Sequence, residues 1–286
     1  MRRILTVLAT ALAFSSISEA SAQAEPPRLL FASGFENGVK LGKQTPYYRK
    51  IYGRDQSTGY RWPIKVFGAS ESALHPIDHD NHKAIFNRLV RVKGHNGRST
   101  RVLYSKENYA VKGKVTQSPY EILNIKRGKS DVYIRYWMKL DGKLLRDHPR
   151  NKWRAIFEFK SVDYGKGSGF RLISFVYSDN KGQPYWAFQG DLWPDRPLWE
   201  INNYDVPVPR NKWFLMEVFW HWSSGNDGRA LWKVNGEVIA DRHGPTAYND
   251  KPVDFIMPFQ LYGNANPKRQ WVDDLEIWTG IPDKYK

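Results

Sequence analysis

The chain has 286 residues, with 44 Lys and Arg against 29 Asp and Glu, a formal charge of +15, 15% aromatic residues and no cysteine. The missing cysteines exclude a disulfide framework, a thiolate metal centre and a cysteine nucleophile. The 41% hydrophobic content excludes a disordered basic tail, and the length allows one large all-β domain or two small ones.

Residues 1–24 read as a secretory signal peptide. Arg2 and Arg3 form a charged start, Ile4 to Phe14 an apolar stretch, and Ala20 to Ala24 offer small-x-small cleavage sites. The apolar run falls short of the roughly 20 residues that a spanning helix needs. Cleavage after Ala24 leaves a single domain, 25–286, and the loss of Arg2, Arg3 and Glu19 takes the charge to +14. The expected address is secreted or periplasmic. There a basic protein meets anionic polysaccharide, cell-wall polymer and lipid head groups rather than nucleic acid, with acidic polysaccharide the leading partner, and no later stretch is apolar enough for a membrane span. The charge is uneven: Lys83 to Lys129 hold twelve Lys and Arg against Glu107 and Glu121. That excess can be a solvated face or a field steering a polyanion toward a groove.

In chain order, His75 to His82 gather three histidines with Asp78 and Asp80. Their spacing matches no zinc signature and suits a polar loop capping a helix. That helix is predicted around Asp80 to Val90, where Ile85, Phe86, Leu89 and Val90 fall at helical spacing. From there on the pattern is β. Asp131 to Leu140 alternates strictly, with Tyr133, Arg135, Trp137 and Lys139 on one face and Val132, Ile134, Tyr136 and Met138 on the other. Further strands are predicted at Arg154–Ser161, Phe170–Tyr177, Tyr185–Gln189, Trp213–Trp222, Ala230–Val234, Phe255–Tyr262 and Val272–Trp278, separated by Gly, Asn and Asp turns. Trp213 to Asp241 reads as an antiparallel meander. Many strands on short turns indicate an all-β sandwich or jelly roll.

The blocks Leu29–Gly38 (LLFASGFENG), Asn211–Val218 (NKWFLMEV), Asn226–Gly236 (NDGRALWKVNG) and Trp271–Trp278 (WVDDLEIW) resemble secreted bacterial proteins with the concanavalin A-like jelly roll. Among these the chain looks most like the polysaccharide lyases of the heparin lyase I, alginate lyase and glucuronan lyase type. The resemblance implies two curved antiparallel sheets with a substrate groove. Alginate lyases of this fold carry an Arg-rich strand, a Gln-x-His strand and a strand with a catalytic Tyr. Here Glu158-Phe159-Lys160 stands in the place of Gln-x-His, and Phe259–Asn264 (FQLYGN) matches the Tyr strand loosely.

Elimination from a uronic acid polymer needs a group to offset the carboxylate, a base for the C5 proton and an acid for the leaving oxygen, with no cofactor required. Candidate pairs at i, i+2, roughly 7 Å apart on one strand face, are Arg135 with Tyr133, Lys160 with Glu158, and Gln260 with Tyr262. His221, inside a strand, is a candidate base. Trp186, Trp193 and Trp199 lie among prolines and are candidates for stacking on sugars, followed by Asn202, Asn203 and Tyr204 as hydrogen-bonding groups. Glu36 with Asp273 or Asp274 is a candidate structural calcium site, as the resemblance implies for the meeting of first and last strands. The alternatives are a non-catalytic carbohydrate-binding jelly roll and a glycoside hydrolase. The hydrolase needs two carboxylates about 5–5.5 Å apart for retention, and the Glu-x-Asp-x-x-Glu strand of the laminarinase-like branch is absent from the sequence.

Overall fold

The computed structural model describes residues 25–44, 49–64, 72–75, 85–107, 120–124, 131–146, 149–161, 169–192, 196–247 and 253–286. The stretch read as a signal peptide, most of the histidine-rich stretch and Trp193 lie outside the described residues. The strands in chain order are β1 (Leu29–Ser33), β2 (Lys40–Gln44), β3 (Arg49–Arg54), β4 (Arg61–Trp62), β5 (Ser72–His75), β6 (Ile85–Lys93), β7 (Ser99–Glu107), β8 (Tyr120–Asn124), β9 (Asp131–Leu140) and β10 (Trp153–Ser161). They continue as β11 (Phe170–Ser178), β12 (Pro184–Leu192), β13 (Arg196–Asn203), β14 (Trp213–His221), β15 (Arg229–Val234), β16 (Glu237–His243), β17 (Val253–Met257), β18 (Tyr262–Gly263) and β19 (Arg269–Trp278). Among the described residues the only helical piece is a 3-10 turn, Asp283–Tyr285.

Two antiparallel sheets result. The first runs β16-β15-β14-β9-β19-β7-β6, with β1 also paired to β19; the second runs β13-β12-β11-β10-β17-β8-β5-β3-β2, with β18 beside β10 and β4 beside β3. Alternation decides which side chains meet between them. On β9, Val132, Ile134, Tyr136 and Met138 enter the core; on β10 and β11, Phe157, Phe159, Leu172 and Val176 do so from the other sheet. Aromatic rings fill the space between: Trp186 meets Trp232 edge to face at 5.2 Å, and Phe157 meets Phe159 at 4.8 Å. Such contacts add to the area term that dominates a sandwich core. This is the expected all-β jelly-roll sandwich.

The meander is as the sequence reads. β14, β15 and β16 pair in succession, and the β15–β16 turn places Asn235 and Gly236 at positive φ, 53° and 83°. That is the conformation for which a two-residue hairpin selects Asn-Gly. The helix around Asp80 to Val90 requires correction. Ile85 to Val90 lie in β6, paired residue by residue with β7 from Ile85↔Glu107 to Lys93↔Ser99. Four apolar residues satisfy either period, and a long antiparallel partner decides for the strand.

Candidate active site on the outer face of the second sheet

Residues facing away from the core are fixed by register. Glu158 stands opposite Ile173, Lys160 opposite Arg171, Arg171 opposite Asp191, Ile173 opposite Gln189, and Gln189 opposite Glu200. One end of this face is therefore polar. Arg171 grips Asp191 with two donors, Nε to Oδ1 at 3.0 Å and Nη2 to Oδ2 at 2.5 Å, and Gln189 donates to the same carboxylate at 2.8 Å. Asp191 is fully buried. An ionised carboxylate survives there because a guanidinium fork and an amide replace its water.

Gln260 Nε2 donates to Glu158 Oε2 at 2.7 Å, and Gln260 itself is fully buried. It orients Glu158 from below the surface, rather than touching a ligand itself. Lys160 is half-buried at the next outward position of β10. Charged residues with so little exposure, on the side of a sheet that faces away from the core, mark a recessed floor.

The other end of the face is aromatic. Trp153, Phe175, Tyr177, Tyr185 and Tyr204 touch in sequence, at centroid separations of 6.0, 4.8, 5.7 and 4.5 Å. Tyr204 is 65% exposed and stacks on Tyr185. Burial, then the nearby Tyr204, pushes the Tyr185 phenol up to about 12. Burial, then Glu200, raises Tyr177 as well. Both phenols are therefore neutral hydrogen-bonding groups at ordinary pH. Asn202 lies beside them and donates to Glu200 at 3.0 Å.

The sequence candidates divide between the two sheets. Glu158, Lys160 and Gln260 come together on the second sheet. Tyr262 joins by its backbone, paired to Ala155 of β10, while its side chain lies outside the described part of the structure. Tyr133, Arg135 and His221 lie on the outer face of the first sheet, across the core from Lys160. Tyr133 donates to Glu217 at 2.6 Å, and burial, then that bond, raises its phenol far above the ordinary range. Arg135 sits over the Tyr285 ring at 4.2 Å, and His221 Nδ1 lies 2.9 Å from Asp131.

Three binding candidates are corrected by packing. Trp186 is fully buried between Trp232 and Phe214. Trp199 faces inward across Gly190, where a β-carbon would fall 2.5 Å from its ring, and packs against Phe188. Asn203 is committed to backbone: it donates to the Ile239 carbonyl at 3.2 Å and accepts from the Val206 N–H at 2.9 Å. Each sits at an inward or turn-forming position that proline content does not reveal. Arg171, Gln189, Asp191 and the Trp153–Tyr177 row were missed, although the alternation of Arg171, Ile173, Phe175 and Tyr177 was legible on one strand.

At the calcium candidate, Thr100 Oγ1 lies 2.8 Å from Glu36 Oε1 and 3.2 Å from Asp273 Oδ2. Burial, then Asp274 and Glu36, pushes Asp273 up to about 8. Asp274 turns to His95 at 2.8 Å. Crowded hard oxygen donors suit calcium in kind. Among the described residues, however, no three His, Cys, Asp or Glu side chains gather as a metal cage.

A cleft of about 670 Å³ lies on the first sheet's side, lined by Glu25, Asp131 and Asp283 against Arg28, Arg229 and Lys286. Its charges balance, so it offers no net field to a polyanion.

No protein-family model matches the chain, and no curated protein matches it. Among solved structures, it is similar to the endo-β-1,4-glucuronan lyase of the fungus Trichoderma reesei, with 14% identity over 68% of this chain and 87% of that one at a TM-score of 0.50. Alginate lyase Aly36B is 13% identical over 84% and 96% of the two chains at 0.49, and the PL-14 alginate lyase of Aplysia kurodai 10% identical over 87% and 98% at 0.43. At 14% identity the likeness to the glucuronan lyase bears on the jelly-roll fold alone; the chemistry rests on the residues above. No helix among the described residues is long and apolar enough to cross a membrane.

Proposed function

We propose that the protein is a secreted polysaccharide lyase that cleaves a uronic acid-containing polysaccharide by β-elimination on the outer face of the second sheet. The observation that carries this is the recessed floor of Glu158, Lys160, Arg171, Gln189 and Asp191, continuous with an aromatic row, in a fold shared with a glucuronan lyase.

The aromatic row offers flat apolar faces to pyranose rings, with Tyr204 as the exposed end. Lys160 offsets the uronate carboxylate as C5 takes on carbanion character, the moment at which a fixed cation stabilises the transition state more than the ground state. Arg171, held by Asp191, adds a fixed positive edge behind it. Tyr262 is assigned both proton transfers: as the phenolate it takes the C5 proton, the C5–H electron pair forms the C4–C5 double bond as the C4–oxygen bond breaks, and the resulting phenol gives that proton to the departing oxygen. Glu158, oriented by Gln260, keeps Lys160 and the substrate in register. A calcium ion at Glu36 and Asp273 belongs to the same proposal, in a structural role remote from these steps.

Absorbance of an unsaturated uronate is the direct test, with purified mature protein and a panel of alginate, glucuronan, heparin, hyaluronan and pectate. A rise on any member establishes elimination and names the substrate class. A second reading is a binding module without turnover. It is favoured by Glu158 and Lys160 standing where the resemblance expects Gln and His, and by the internal pairing of Arg171 with Asp191. A flat trace with retention on an acidic glycan column would select it.

A further inference from the structure

Part of the charge excess in the sequence falls on the first sheet, away from the groove. Residues 85–107 contain six Lys and Arg against Glu107, and they form β6 and β7, which belong to the first sheet. Register then places Arg88 opposite Tyr104, Tyr104 opposite Trp271, and Trp271 opposite Lys139, which in turn stands opposite Trp213. Since Leu103 and Val272 point into the core, this chain of residues points outward.

Cations and rings interleave along it. Lys139 Nζ lies 4.6 Å from the Trp271 centroid and 5.3 Å from that of Trp213, and Trp271 meets Tyr104 at 5.1 Å. Beside them Arg88 and Lys106 lie over Phe86 at 4.1 and 5.4 Å. Among the described residues none of Arg88, Lys106 and Lys139 has a carboxylate within ion-pair distance, whereas Arg269 is met by Asp141 at 3.5 Å. Burial lowers the Lys139 ammonium from its ordinary value. A half-desolvated cation between two indoles gains more from an arriving carboxylate than one in open water does.

The geometry points to a second binding surface for acidic polysaccharide on the outer face of the first sheet, built from Arg88, Tyr104, Trp271, Lys139 and Trp213 and separate from the groove. Rings at neighbouring-strand spacing, roughly 4.8 Å, offer faces to successive sugars, and the interleaved cations pair with their carboxylates. A polymer can be held here while another stretch of it occupies the groove, which raises its effective concentration there. The ligand class rests on the proposed function; the surface does not.

Affinity electrophoresis of the mature chain through gels containing alginate or glucuronan, with dextran as neutral control, tests this. A Lys160→Ala variant, weakened in the groove, should still be retarded by the acidic gel. Adding Arg88→Gln and Lys139→Gln should weaken that retention about tenfold, with the thermal midpoint within a few degrees of the parent; Trp271→Leu should act in the same direction through the ring. Loss of all retention with Lys160→Ala alone, or retention untouched by the added changes, overturns the second surface while unsaturated-uronate absorbance continues to report on the groove. Binding to phosphatidylglycerol vesicles with none to either acidic gel also overturns it. A flat absorbance trace with retention through Lys139 and Arg88 would remove the lyase reading and keep the surface.

Discussion

On the first sheet, Tyr133, Arg135 and His221 find their partners within the fold: Glu217, the Tyr285 ring and Asp131. On the second sheet, Lys160 and the tyrosines occupy equivalent outward positions, but beside a recessed floor and with Tyr204 mostly in water. Both faces thus carry acid, base and aromatic groups at i, i+2 spacing. The difference is cover: the C-terminal 3-10 turn brings Tyr285 onto the first sheet, where its hydroxyl reaches Glu276 at 3.1 Å. A side chain type on a strand therefore says little about chemistry until its cross-strand neighbours are known.

The largest expected effect attacks the floor of the second sheet. Arg171→Ala leaves Asp191 buried without its guanidinium, and breaking a buried pair costs about 3–5 kcal/mol. For a domain of this size that lowers the midpoint by roughly 6–20 °C, readable by calorimetry. Arg135→Ala on the first sheet removes a stacked, partly solvated cation, and about 1 kcal/mol is expected. Equal losses at the two sites would erase the contrast between the faces.

Turnover comes next. If Lys160 offsets the developing charge, Lys160→Ala lowers kcat about 10²–10³-fold, the range for losing one preorganised electrostatic contact. His221→Ala, whose ring is held by Asp131 across the core from Lys160, should leave kcat within about threefold. The reverse ranking in an unsaturated-uronate assay would move the active face to the first sheet.

Much of the fold was legible because β periodicity and Asn-Gly turns are local. Asp131 to Leu140 alternates so strictly that its two faces are assigned before any partner is known, and Asn235-Gly236 names its own turn. The site was legible only in part. Glu158 and Lys160 share a strand and therefore a face, but that Arg171 stands opposite Lys160, and Gln260 beneath Glu158, depends on pairings between distant segments. Trp186 shows the limit most sharply. Its strand, Tyr185–Gln189, is predicted, but that Trp186 takes the inward position of β12, with Trp232 against it, is set by the facing sheet.

A smaller effect concerns the junction of Glu36, Thr100 and Asp273 near the end of the first sheet. With calcium at ten times its dissociation constant, the folded state gains about 1.4 kcal/mol, a rise of roughly 3–5 °C. Asp273→Asn should remove the response to calcium. Because the junction lies on the first sheet, the ion should stabilise the fold and leave kcat alone; a chelator that abolished turnover without shifting the midpoint would place calcium in the groove instead.

The smallest effect sharpens the aromatic end of the second sheet. Tyr204 is exposed and touches Tyr185 at 4.5 Å, so its truncation costs the fold little. If it stacks on sugar, Tyr204→Ala removes about 1 kcal/mol of binding that ground and transition states share, which raises KM about fivefold at constant kcat. Trp199→Ala, a ring turned inward against Phe188, should instead lower the midpoint and leave KM in place. The pair separates a ring that meets substrate from one that meets the core, although the two lie five residues apart in sequence. A change in kcat for Tyr204→Ala would bring the aromatic row into the reaction itself, and Tyr204 would then belong with Lys160 rather than with the platform.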